Sequence, residues 1–190
     1  MGDIGYIFSG LGAQWAGLGL ELLQKNSKYR RAFRDFDQAM EALCGWSLEA
    51  GLKSQERDLN QAFFWHPAIM ASEWALYKTL EDLLPPPDLV IGHSGGEVMA
   101  ALVSGALSLE GAAFVVFRQM ELMAKTPPGR LLHLAMDRAA LEPLIKDYGL
   151  ILTAQNSPSS FVITGTNDKL DKLLAREDLR SLIRPVSADR

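Results

Sequence analysis

Nine consecutive residues, Asp88-Leu89-Val90-Ile91-Gly92-His93-Ser94-Gly95-Gly96, follow a triproline at 85–87 and admit few folds. The prolines end whatever helix precedes them, because each lacks a backbone donor and fixes φ. Residues 88–92 then read as a short buried strand, and residues 95–103 as a helix. A strand that becomes a helix within three residues must turn sharply, which glycines at 92, 95 and 96 permit. A second short apolar run at 4–8 also reads as a strand and stops in Ser9-Gly10-Leu11-Gly12, a tight loop that exposes its backbone. Strands that feed glycine loops, with helical sequence between them, predict an α/β fold.

Tyr29, Phe33, Phe36, Met40 and Leu43 recur at spacings of three and four, which predicts one amphipathic helix over residues 18–43. Pro67 is expected to open a second helix carrying Ile69, Trp74, Leu76, Tyr77 and Leu80. Ser108 and Glu110 start a third that runs to Lys125, and Pro127-Pro128-Gly129 closes that part of the chain. The rhythm then changes to strand 131–136, helix 138–146, strand 150–155, strand 160–164, helix 168–175 and strand 182–187. This β-α-β-β-α-β order is the split βαβ, ferredoxin-like arrangement. The predicted organisation is a large subdomain at 1–126 and a ferredoxin-like small subdomain at 127–190.

With 190 residues, 48% of them hydrophobic, the chain can bury a substantial core. A net charge of −4 with both signs scattered gives no basic stripe for a phosphate backbone, so nucleic acid is not an expected partner. Cys44, the single cysteine, forms no internal disulfide or zinc site, and a reducing compartment is expected. The first ten residues do not make a signal peptide, and Tyr6 stands where a myristoylation signal needs Ser or Thr. No apolar run has the length of a membrane span. A soluble, cytoplasmic protein without a metal is expected.

A serine hydroxyl becomes an effective nucleophile when it is exposed, given a base, and faced by donors that stabilise an oxyanion. The elbow exposes Ser94 and offers the amide of Gly95. The Gly10-Leu11-Gly12-Ala13-Gln14 loop offers the Leu11 amide as a second donor, with a simple tight turn as the alternative when it is read alone. Arg118 follows the apolar stretch 112–117; its forked donors suit a carboxylate, while a solvated face shared with Glu121 and Lys125 explains it as well.

FSGLGAQWAGLGLELL (8–23), GHSGGEVMAALVSGALSLEGAAFVVFRQ (92–119) and AQNSPSSFVITG (154–165) together resemble three ordered signatures of malonyl-CoA:acyl-carrier-protein transacylases and of the acyltransferase domains in polyketide and fatty acid synthases. The wording is closest to polyketide synthases. The resemblance implies an α/β-hydrolase-like core with an inserted ferredoxin-like subdomain. It implies that a serine is acylated by an acyl-CoA and passes the acyl group to the phosphopantetheine thiol of an acyl carrier protein, with no cofactor. Ser94 matches the nucleophile, Leu11 and Gly95 the oxyanion donors, and Arg118 the arginine that holds the extender unit's carboxylate. His93, Gln14 and Asn156 are implied to line the substrate pocket.

The sequence departs from the family's pattern in three places. Leu11 stands where the family usually has glutamine, but the contact implied there is made by the backbone. His66-Pro67-Ala68 replaces a common Gln-Pro-Ala, and His66 is expected to be a helix-start residue rather than a replacement base. His133 reads as a satisfied histidine in an apolar strand. The family's catalytic histidine follows the final strand of the small subdomain, and no residue here takes that place. The large core is therefore expected to be incomplete, with exposed apolar surface or a partner chain such as the remainder of a multidomain synthase. Two other readings remain at this point: a non-catalytic module that binds acyl-CoA or a carrier protein, and a serine esterase.

Overall fold

The computed structural model describes residues 4–54, 62–126 and 129–186. It is a mixed α/β structure of two compact units, Met1–Lys125 and Thr126–Arg190. The expected breaker pair Pro127-Pro128 and the expected strand end at Ser187 lie outside the described residues.

In the first unit, β1 (Gly5–Phe8) pairs in parallel with β2 (Leu89–Gly92), in the register Gly5 to Leu89 through Phe8 to Gly92. Between them run α1 (Leu20–Lys25), α2 (Ser27–Cys44), α3 (Leu48–Lys53) and α4 (Ala62–Leu80). After β2 come α5 (Gly96–Val103) and α6 (Leu109–Lys125). Tyr29, Phe33, Phe36 and Met40 of α2 are buried with Ala68, Ile69 and Ala75 of α4 and Ala112, Val116 and Met120 of α6. Full burial of each large side chain in that group contributes about 2–3 kcal/mol.

Three expectations need correction. The single helix over 18–43 is two helices, because Asn26 has extended backbone and its side chain caps α2 by accepting from the amides of Lys28 and Tyr29 at 3.0 Å each. Pro67 lies inside α4 rather than at its start. Burial of Phe64, Trp65 and His66 extends the helix ahead of the proline, and packing of this kind offsets a penalty of about 3 kcal/mol for an interior proline. The strands are not covered on both faces: Ile7 is 77% exposed, and Leu89 and Ile91 are also exposed. Side chains alternate across a strand, so these three share the uncovered face of the two-stranded sheet. The short helix α3, absent from the sequence reading, starts where Asp37 of α2 accepts from the Leu48 amide at 2.5 Å and the Glu49 amide at 3.1 Å.

In the second unit the order is β3 (Arg130–Ala135), α7 (Arg138–Tyr148), β4 (Ile151–Ser157), β5 (Ser160–Gly165), α8 (Asn167–Leu174), a 3-10 turn at Glu177–Leu179 and β6 (Ile183–Val186). The sheet runs β4-β5-β3-β6 with every neighbouring pair antiparallel. Leu132, Leu134, Phe161 and Ile163 alternate onto one face and are buried with Leu141 and Leu144 of α7 and Leu170 and Leu173 of α8. Gly149 ends α7 in left-handed backbone at φ 59°, which only glycine adopts at little cost.

Candidate functional site

Parallel pairing places Phe8 beside Gly92, so the loops that leave β1 and β2 emerge at the same carboxyl end of the sheet. Ligands of open parallel sheets bind at that end. Contact between the two loops is backbone to backbone. A Cβ built on Gly10 would lie 2.9 Å from the His93 carbonyl oxygen, 3.0 Å from the Gly95 nitrogen and 3.1 Å from Ser94 Cβ. A Cβ on Gly96 would lie 2.2 Å from the Phe8 carbonyl oxygen, and one on Gly92 would lie 2.2 Å from the Glu97 nitrogen. Glycine at these positions is what lets the turn close.

Ser94 occupies the apex at φ 56°, and among the described residues it alone has positive φ without being glycine. Left-handed backbone costs a non-glycine residue about 1 kcal/mol or more, and such strain concentrates at functional sites. The side chain is exposed. Around it the first helical turn is already bonded: Gly96 donates to His93, Glu97 to Ser94 and Val98 to Gly95, at 3.0–3.1 Å. Gly12 donates to Gln14 Oε1 at 2.7 Å and Ala13 to the Gly10 carbonyl at 3.4 Å. Among the described residues neither the Leu11 nor the Gly95 amide donates to a protein acceptor. Two unengaged amides thus lie in the two loops that meet where Gly10 approaches Ser94 and Gly95.

Helix α4 supports both loops from one side. Its His66 ring lies against Gly95, where an added Cβ would come within 2.4 Å of His66 Cε1. His66 is 5% exposed, and burial pushes its imidazole below the ordinary histidine range. Its polar neighbour is Gln119 of α6, and neither ring nitrogen of His66 nor Gln119 Oε1 makes a hydrogen bond of ordinary geometry. His66 is therefore neither a helix-start residue nor exposed beside the serine. Seven residues further along α4, Glu73 Oε1 accepts from the Ser9 amide at 2.7 Å and from the Ser9 hydroxyl at 2.6 Å. The sequence reading missed Glu73. Its only local signal was a carboxylate directly after the apolar run Pro67–Ala71 and Ser72.

Arg118 lies on α6, one residue before Gln119; it is exposed and forms an ion pair with Glu121. His93 precedes the serine and is exposed. Asn156 is exposed on β4 of the second unit, and His133 Nε2 is 2.8 Å from Ser160 Oγ across β3 and β5 of that unit. Among the described residues no cluster of three or more His, Cys, Asp or Glu is placed to hold a metal ion, and no helix is long and apolar enough to cross a membrane.

Compared with known proteins, residues 5–186 match the family model described as the acyl transferase domain. The chain belongs to the acyl transferase domain family. This acyl transferase domain is 31% identical over 194 aligned positions to the pikromycin polyketide synthase component PikAIII of Streptomyces venezuelae, covering 98% of this chain and 12% of that protein. It is 33% identical over 183 positions to squalestatin hexaketide synthase of a Phoma species, covering 92% of this chain and 7% of that one. Among solved structures, a loading acyltransferase from the avermectin modular polyketide synthase superposes with a TM-score of 0.88 at 30% identity, over 98% of this chain and 62% of that one. The malonyl CoA-acyl carrier protein transacylase of Burkholderia pseudomallei superposes with a TM-score of 0.80 at 25% identity, over 99% of this chain and 65% of that one. The acyl transferase domain described here thus spans a small part of its curated relatives and under two thirds of these solved chains.

Proposed function

We propose that this domain moves a malonyl-type acyl group from coenzyme A, through an ester on Ser94, to the phosphopantetheine thiol of an acyl carrier protein in polyketide or fatty acid assembly. The observation that carries the reading is Ser94 at φ 56° on a strand-to-helix elbow, met by the glycine loop at Gly10, with the amides of Leu11 and Gly95 in the two loops unengaged. Ser94 Oγ attacks the thioester carbonyl, the two amides hold the tetrahedral oxyanion, and the C–S bond breaks to release the coenzyme A thiol, which takes up the serine proton. The carrier protein's thiol then attacks the serine ester, and its proton returns to Ser94 Oγ. The base that relays these protons is not assigned to a residue of this sequence: His66 is buried against Gly95, and His133 pairs with Ser160.

Arg118 is the proposed ligand of the extender carboxylate. Its present partner does not oppose that role, because an exposed ion pair such as that with Glu121 is worth at most about 1 kcal/mol and exchanges readily. Gln14 fixes the first loop through Gly12, and His93 is a proposed pocket residue. The finer architecture follows the same reading. The sheet order β4-β5-β3-β6 supports a ferredoxin-like small subdomain at 127–190, and the parallel pair with its elbow supports an α/β-hydrolase-like core at 1–126. The experiment is transfer of labelled malonyl from malonyl-CoA to a phosphopantetheinylated carrier protein. Label on the carrier that disappears with Ser94→Ala supports the proposal, and label that survives the substitution refutes it.

A further inference from the structure

We infer that Glu73 is a positioning residue for acyl transfer, holding the 9–12 loop so that the Leu11 amide faces Ser94. The inference rests on the acyl-transfer reading above. It is carried by a continuous set of contacts. Glu73 Oε1 takes both donors of Ser9, its amide at 2.7 Å and its hydroxyl at 2.6 Å. Ser9 sits between two close approaches. Its own carbonyl oxygen would be 2.7 Å from a Cβ on Gly96, and the next residue, Gly10, packs its backbone on Ser94 and Gly95. Fixing Ser9 therefore fixes the place where the two loops meet, and Leu11 is two residues on. Among the described residues the Ser9 hydroxyl and the Ser9 amide both donate to this one carboxylate oxygen.

The arrangement is costly for stability alone. Oε2 of Glu73 is shut off from solvent and has no hydrogen-bond partner, and among the described residues no lysine or arginine pairs with the carboxylate. Burial raises its pKa, and the two bonds from Ser9 pull in the opposite direction. A half-satisfied carboxylate directly after the buried run Phe64–Ser72 of α4 breaks a local rule of packing, and such breaks occur at functional sites. His66 stands seven residues earlier on α4, two turns away on the same face, and touches the other donor loop at Gly95. One helix therefore sets both halves of the proposed oxyanion hole, through a packed ring on one loop and a single carboxylate oxygen that accepts two hydrogen bonds on the other.

The test compares the wild-type chain with Glu73→Gln and Glu73→Ala in two measurements: amide hydrogen exchange at residues 9–12, and the rate of malonyl-ester formation on Ser94 over a range of malonyl-CoA concentrations. Loss of the double acceptor is expected to speed exchange of the Ser9 amide by about tenfold or more. It is expected to lower the maximal acylation rate by about tenfold with KM within about twofold, because the group acts on the transition state rather than on coenzyme A binding. Glu73→Gln keeps an acceptor oxygen and is expected to recover most of both effects. Wild-type exchange and rate in a folded Glu73→Ala chain, or equal losses in both variants, would overturn the inference. If the wild-type chain forms no ester, the acyl-transfer reading fails, and exchange at Ser9 still decides whether Glu73 holds the loop.

Discussion

The imidazole of His66 packs on the backbone of Gly95 so closely that a methyl group added to that glycine would meet Cε1 at 2.4 Å. Gly95 has φ −54° and ψ −29°, which alanine adopts readily, so backbone strain does not demand glycine there. Gly95→Ala is therefore predicted to destabilise the chain by about 1–3 kcal/mol through overpacking alone. Denaturant unfolding of the double variant with His66→Ala is predicted to recover most of that loss; equal losses in both backgrounds would show that the clash lies elsewhere.

Burial holds His66 neutral, with its pKa below the ordinary value of 6.5. The unfolded chain takes up a proton there near the ordinary value, so it binds more protons than the folded chain just below that pH. Stability from this group is thus complete above about pH 6.5 and falls as the pH drops toward the folded value. Subtracting the stability–pH curve of His66→Gln from that of wild type is predicted to leave a difference that declines as the pH falls through the ordinary histidine value of 6.5. A flat difference would mean that the ring is not held neutral.

Ser94 carries left-handed backbone that glycine adopts freely. Ser94→Gly is predicted to raise unfolding stability by about 1 kcal/mol while abolishing ester formation. Ser94→Ala, which keeps the strained φ, is predicted to abolish the ester without that gain. A destabilised Ser94→Gly chain would argue against stored strain at the elbow.

Arg118 contributes little to the fold, being exposed and, among the described residues, paired with Glu121 on the next turn. Arg118→Ala is predicted to leave the unfolding midpoint nearly unchanged and to remove the preference for malonyl-CoA over acetyl-CoA in competition for Ser94. An unchanged preference would assign carboxylate recognition to another residue.

The sequence made the elbow legible because its cause is local. Glycines at 92, 95 and 96 permit the turn within five residues, and Ser108 announces α6 by accepting from the Gly111 amide at 3.0 Å. The strand and helix order of the second unit was equally readable, since alternating apolar positions in β3 and β5 need only local pattern to identify them. Long-range features were not readable. Asp37 caps α3 from 11 residues away and Glu73 reaches Ser9 across 64, distances over which residue spacing carries no information. Asn26 did carry a local cue as a capping residue, but the unbroken apolar stripe from Tyr29 to Met40 concealed it. Ile7, Leu89 and Ile91 misled because an apolar strand reads the same whether one face or both are covered.

Ser94 as the acyl acceptor is tested most directly by incubating the intact chain with malonyl-CoA, digesting it and mapping the added malonyl mass by peptide. The account predicts a single adduct on the peptide containing Ser94, absent from Ser94→Ala. A folded chain that gains no malonyl group, or gains it on a peptide without Ser94, would contradict it.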